Sequence, residues 1–241
     1  MLLNKIYCIG DSHVSVFLGK DAISPIYPEK CNSLFSYFDV TRIGSITAFN
    51  IGNPKSSTQA KVKIDSLISN VIPKGSVIIF SAGEIDIRVH LLKQVEAQKE
   101  SIQKITFQII QNYLFLLRQY SERGYIIVVL SPPPSAFKVE DDPSYPRYGS
   151  EQNRNIATKI FNDILKCEAE KKGIGYLDIY TNYVDSNNFT KRKYLWDGIH
   201  PSTAVIIDII FQLNSKLNTN LTISFCWNVR EFLRKIKAFL N

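Results

Sequence analysis

Three unbroken apolar runs constrain this chain more than any other feature. Ile6 to Ile9, Val77 to Phe80 and Tyr125 to Leu130 contain no alternating polar residue. A strand with one solvated face alternates and a strand buried on both faces does not. The runs therefore predict parallel strands covered on each side by helices. Two more segments read as strands, Tyr37 to Ile43, ended by Gly44, and Ile174 to Ile179. Helical patterns fill the intervals: a short one over 45–50, a better one from Ser57 to Val71, and a long region from Val89 to Arg123. In that region Ile102, Ile105, Ile109, Tyr113, Leu116 and Leu117 recur at helical spacing, with a break expected near Glu100-Ser101. Glu151 to Lys172 and Thr203 to Leu217 complete the helices, and strands alternating with helices give an α/β fold with a five-stranded parallel sheet.

The chain has 241 residues, enough for one large domain, and no repeat or composition shift marks a second. Residues 1–218 are read as that domain and 219–241 as a basic amphipathic extension. In the extension Val229, Phe232, Leu233, Ile236, Phe239 and Leu240 fall on one helical face, with Arg230, Arg234, Lys235 and Lys237 elsewhere. Packing of that face onto the domain is the expected use; a partner protein or a membrane surface is the alternative. Ser131-Pro132-Pro133-Pro134 opens a polar loop that runs to about Ser150 and includes Asp141-Asp142-Pro143. A loop of that length is either a rim over a site or a plain surface insertion.

The formal net charge of +7 permits an acidic partner without showing one, because Lys and Arg are spread along the chain. No nucleic-acid-binding motif accompanies the charge. The four cysteines, Cys8, Cys31, Cys167 and Cys226, form no CxxC pair, so free thiols are expected rather than disulfides or a zinc site. The N-terminus runs directly into the first strand, leaving no room for a tripartite export signal, and no apolar run is long enough to span a membrane. A cytoplasmic location is the resulting expectation.

Chemistry concentrates in two short motifs. Gly10-Asp11-Ser12-His13 follows the first strand directly. A serine there sits at the carboxyl end of a parallel strand, where α/β proteins bind ligands, and a helix beginning there would favour a developing negative charge. The plain alternative is that Asp11 or Ser12 only caps the helix. Late in the chain, Asp197-Gly198-Ile199-His200 places a carboxylate three residues before an imidazole. Such a pair can fix the histidine tautomer and leave the other ring nitrogen to take a proton from a serine.

With both motifs placed, the chain resembles the SGNH/GDSL hydrolase superfamily from Ile6 to about Leu217. The resemblance implies a flavodoxin-like three-layer α/β/α fold and no cofactor. Gly10-Asp11-Ser12-His13 matches the first family block, with His13 where leucine is usual, and makes Ser12 the nucleophile. Gly44 looks like the glycine of the second block, whose backbone N–H serves the oxyanion, and Asp197 and His200 match the last block. The third block departs. The family pattern is Gly-x-Asn-Asp with an oxyanion-donating Asn; here Gly83-Glu84-Ile85-Asp86 puts Ile85 in that position. Losing one such donor costs about 10²–10³ in turnover.

Arg88 is the expected replacement donor, with His90 next. A Gly-Glu-Ile-Asp-x-Arg-x-His pattern resembles SGNH-like proteins of bacterial surface-polysaccharide loci. Asp11, His13, Glu84, Asp86 and His90 are candidate substrate contacts, although the charged ones can equally pair among themselves. The chain's only histidines, His13, His90 and His200, all fall in these blocks, which the fold is expected to bring to one sheet edge. They show no metal-ligand spacing, and no metal is expected. The function this implies is a serine esterase or O-acyltransferase acting on an O-acyl, above all O-acetyl, ester of a carbohydrate or small molecule. The alternative is a non-catalytic glycan- or partner-binding module on the same scaffold.

Overall fold

The computed structural model describes residues 5–137 and 145–223. Cys226, the 229–240 face of the extension and Asp141-Asp142-Pro143 lie outside the described residues. Five strands, β1 (Ile6–Gly10), β2 (Phe38–Arg42), β3 (Val77–Ser81), β4 (Ile126–Leu130) and β5 (Gly175–Leu177), form one parallel sheet in the order β2-β1-β3-β4-β5. That is the flavodoxin-like order, in which the chain reverses direction across the sheet beside β1. Loops leaving β1, β2 and β3 therefore diverge at the carboxyl edge and open a crevice between them.

The unbroken apolar runs are explained by the two layers. Ile78 and Phe80 of β3 face a core with α1 (Ala60–Asn70), α2 (Leu92–Gln98) at its border, α3 (Ile102–Glu122) and α4 (Glu151–Lys171). Val77 and Ile79 face the opposite core, closed by α5 (Val205–Leu217) and a seven-residue 3-10 helix over Ser12–Leu18. Alternate residues of one strand thus each find apolar partners, at roughly 1.5–3 kcal/mol per fully buried large side chain.

One local expectation fails, and a second is met with one more break than expected. No helix forms over 45–50, where the chain makes turns instead. The amides of Ala48 and Phe49, which a helix would direct to carbonyls one turn back, donate to the Asp86 carboxylate at 2.6 and 3.1 Å. The long pattern from Val89 splits into three pieces: a π-helical turn over Asp86–Leu91, then α2, then α3. Lys99 adopts a left-handed conformation, and Ser101 restarts the helix by accepting from the Lys104 amide. The break near Glu100-Ser101 is where the pattern places it. Cys8, Cys31 and Cys167 are free thiols, and no helix among the described residues is long and apolar enough to cross a membrane.

Candidate active site

Gly10 ends β1 opposite Ser81 at the end of β3. A Cβ at Gly10 would meet the Ser81 carbonyl oxygen at 2.4 Å, so only glycine allows the strands to approach this closely. The Asp11 amide then donates to that carbonyl at 3.1 Å. The Asp11 side chain turns inward: its Oδ1 accepts from the His13 amide at 2.9 Å and from Ser81 Oγ at 3.2 Å. Asp11, not Ser12, is thus the cap, and the serine hydroxyl stays free for other work. The short 3-10 helix that follows carries less dipole than the α-helix the motif suggested.

Ser12 Oγ lies 2.8 Å from His200 Nε2, and His200 Nδ1 lies 2.7 Å from Asp197 Oδ2. The turn holding this pair is stapled by its own carboxylate. Asp197 Oδ1 accepts from the Ile199 and His200 amides at 2.9 and 2.7 Å, and Gly198 supplies the positive φ of 84° that the turn requires. Burial alone would raise the Asp197 pKa; the His200 ring and these two amides outweigh it and pull it to about 2. Asp197 is therefore a firm anion at neutral pH. A carboxylate on Nδ1 leaves Nε2 as the acceptor facing the serine hydroxyl.

Gly44 leaves β2 on the same rim, since Ile43 donates to the Gly10 carbonyl at 2.8 Å. Its φ is +137°, and nothing lies within 4 Å of where a Cβ would sit. The residue is glycine for its backbone conformation and leaves open space at its α-carbon. Gly83, after β3, is glycine for both reasons: its φ is +117° and a Cβ would come within 2.9 Å of Pro132 and 3.0 Å of Phe161.

The charged residues of the third block mostly engage one another. Glu84 Oε1 accepts from Arg88 Nε at 2.7 Å and from the Tyr145 hydroxyl at 3.2 Å. Arg88 Nη1 donates to the Pro146 carbonyl, and the guanidinium carbon lies 3.7 Å from the Tyr145 ring centroid. Two of the three Arg88 nitrogens are thus committed to structure. Asp86, buried, holds the loop after β2 through the two amides named above; its burial raises its pKa to about 7 against the opposing pull of those bonds.

His13 is buried, with Nδ1 3.3 Å from Asp11 Oδ1 and its ring centroid 5.1 Å from that of His200. Burial depresses its pKa, but the adjacent Asp11 carboxylate prevails and the net direction is upward. The expectation that all three histidines converge holds for two of them. His90, on the π-helical turn, is exposed and lines a groove with residues between Ser45 and Ala60 rather than joining the His13–His200 pair. Ser56, Ser57 and Thr58 in that groove were not singled out from the sequence, where such a stretch reads only as turn-forming. Among the described residues no group of three or more His, Cys, Asp or Glu is placed to hold a metal.

A parallel sheet in this order, with a serine hydroxyl, an imidazole and a carboxylate in series at its carboxyl rim, defines the SGNH type of ester hydrolase. The family model described as GDSL-like Lipase/Acylhydrolase matches residues 6–205, and the chain belongs to that family. Solved structures share the fold at low identity. A protein from Bacteroides fragilis is 16% identical with a TM-score of 0.54, covering 91% of this chain and 88% of its own. A GDSL-like lipase from Bacteroides thetaiotaomicron is 14% identical with a TM-score of 0.54, covering 89% and 88%. A catalytic mutant of an acetylxylan esterase from Geobacillus stearothermophilus is 14% identical with a TM-score of 0.52, covering 92% and 97%. No curated protein matches the sequence.

Proposed function

We propose that the protein cleaves or transfers the acyl group of a carbohydrate O-acyl ester, with Ser12, His200 and Asp197 as its triad. The observation that supports this is the Ser12 Oγ to His200 Nε2 contact of 2.8 Å, backed by Asp197 at 2.7 Å. Ser12 Oγ attacks the ester carbonyl as His200 Nε2 takes its proton. The oxyanion is held by the backbone N–H groups of Ser12 and Gly44, with Arg88 Nη2 as a third donor. His200 then returns the proton to the departing alkoxide, leaving an acyl-serine. Water or a second hydroxyl, deprotonated by the same nitrogen, releases the acyl group. Water gives an esterase and a sugar hydroxyl a transferase. The carbohydrate class draws support from the acetylxylan esterase neighbour and from the Gly-Glu-Ile-Asp-x-Arg-x-His pattern, which we read as marking a variant subgroup.

Ile85 favours a second reading, a binding module that keeps the scaffold and has lost rate, because the side chain in the Asn position donates no hydrogen bond. Hydrolysis of p-nitrophenyl acetate by the parent, measured against Ser12→Ala, separates the two. Turnover that disappears with Ser12 supports the enzyme; equal rates in both proteins refute the triad.

A further inference from the structure

Beside Gly44 the loop after β2 and the exposed His90 enclose a groove of about 240 Å³. That volume is on the scale of a single sugar ring. Its walls carry the hydroxyls of Ser45, Thr47, Ser57 and Thr58, the amide of Asn50 and the imidazole of His90. Its floor includes the buried side chains of Ile46 and Ile51. None of the lining side chains is an Asp, Glu, Lys or Arg. Burial and the cations Lys93 and Arg88 keep His90 below its ordinary pKa, so at neutral pH its ring is an uncharged donor and acceptor. Ser56 Oγ, also in the lining, is buried and has no hydrogen-bond partner.

Neutral hydroxyls around an apolar floor suit a ligand with many hydroxyls and an apolar face of C–H groups; they do not suit a phosphate or a fatty chain. The position is equally specific. Gly10 and Arg42 are in register, so Asp11-Ser12 and Ile43-Gly44-Ser45 leave neighbouring strands side by side. Ser45, which lines the groove, directly follows Gly44, so the groove adjoins the place where an ester carbonyl would meet the Gly44 N–H.

We infer that the groove is the subsite for the alcohol portion of the ester, binding one neutral sugar ring through the side chains of Ser57, Thr58, Asn50 and His90. Its role in turnover rests on the esterase reading above, but the binding itself requires no turnover. The chain has only three histidines, so carbon-bound imidazole proton signals in the NMR spectrum of the full chain are few, and His90→Gln assigns the one of interest. Neutral methyl glycosides of the gluco, galacto, manno and xylo series are titrated to about 50 mM, with methyl glucuronide as the charged comparison. The expected result is a saturable shift of the His90 signals with at least one neutral glycoside. Ser57→Ala and Thr58→Val should each weaken it about two- to ten-fold. The inference is overturned if no neutral glycoside moves the His90 signals, or if the glucuronide binds as tightly as the best neutral sugar. Sugar binding without Ser12-dependent ester hydrolysis would refute the esterase reading and leave the subsite standing. Hydrolysis without sugar binding would do the reverse.

Discussion

Replacing Asp197 by asparagine separates the two tasks of that carboxylate, because its oxygens are used differently. Oδ1 accepts two backbone amides, Ile199 at 2.9 Å and His200 at 2.7 Å, while Oδ2 alone faces His200 Nδ1 at 2.7 Å. In Asp197→Asn the two amides pin the remaining oxygen on their side, since a flipped amide would point N–H groups at N–H groups. The new NH₂ then faces Nδ1 and forces its proton to the other nitrogen, so Nε2 donates to Ser12 instead of accepting from it. Turnover should fall on the order of 10⁴-fold.

The fold should suffer much less. A carboxylate whose pKa is held at about 2, against about 3.9 unfolded, gains at most about 2.6 kcal/mol from all its partners. Partial solvent exposure and the retained amide bonds reduce the loss in Asn to about 1–2 kcal/mol, a drop in Tm of about 2–8 °C. In the parent, this contribution is complete above about pH 4 and is lost as pH falls from there toward 2. Asp197→Ala, which also strands the two amides, should melt lower than Asn. The assay is kcat/KM on p-nitrophenyl acetate beside a thermal melt. An Asn variant within ten-fold of the parent's rate, or one that melts below Ala, would refute this account.

Ile85→Asn should raise turnover on the same ester by up to about 10² if a third oxyanion donor is what the site lacks; an unchanged rate would mean that Arg88 or the backbone already suffices. Arg88→Ala is a poorer probe than its position suggests. It leaves Glu84 buried and unpaired and should cost about 3–5 kcal/mol, visible as a large fall in Tm. Asp86 titrates near 7 in the fold, so the native state holds its proton more tightly than the unfolded chain does. Stability should therefore fall as pH rises from about 4 to 7, and Asp86→Asn should flatten that slope in denaturant titrations.

The layers were readable in the sequence because double-sided burial leaves a visible trace in residue type: Val77 to Phe80 cannot be written with polar residues and remain a central strand. The Ser12, Asp197 and His200 contacts were readable for a different reason, since each motif pairs a turn glycine with groups of matched chemistry. The false helix over 45–50 shows where such reading ends. What cancels it is a carboxylate distant in sequence that accepts the amides of Ala48 and Phe49, and an amide accepted by a side chain leaves no mark on the residue that donates it. The same blindness applied to Arg88, whose charge was legible while the acceptors that occupy it, Glu84 and the Pro146 carbonyl, were not both predictable from spacing.

Those hidden contacts bear directly on the chemistry. Asp11 ties the end of β1 to the end of β3 through Ser81 Oγ, and Asp86 ties the turn after β3 to the loop after β2. Ser12 and Gly44, the two backbone donors assigned to the oxyanion, each lie two residues beyond a strand end, Gly10 of β1 and Arg42 of β2, and Ile43 ties the two by donating to the Gly10 carbonyl. An oxyanion site is worth its full value only when its donors are already in place before charge develops, since any reorganisation at that moment subtracts from the stabilisation. Buried Asp11 and Asp86 can therefore bear on the rate by fixing the ends of β1 and β3 and the loop after β2. With Ile85 in the position of the third donor, the side-chain one, that preorganisation of the backbone donors carries a larger share of the stabilisation than it would with the Asn present.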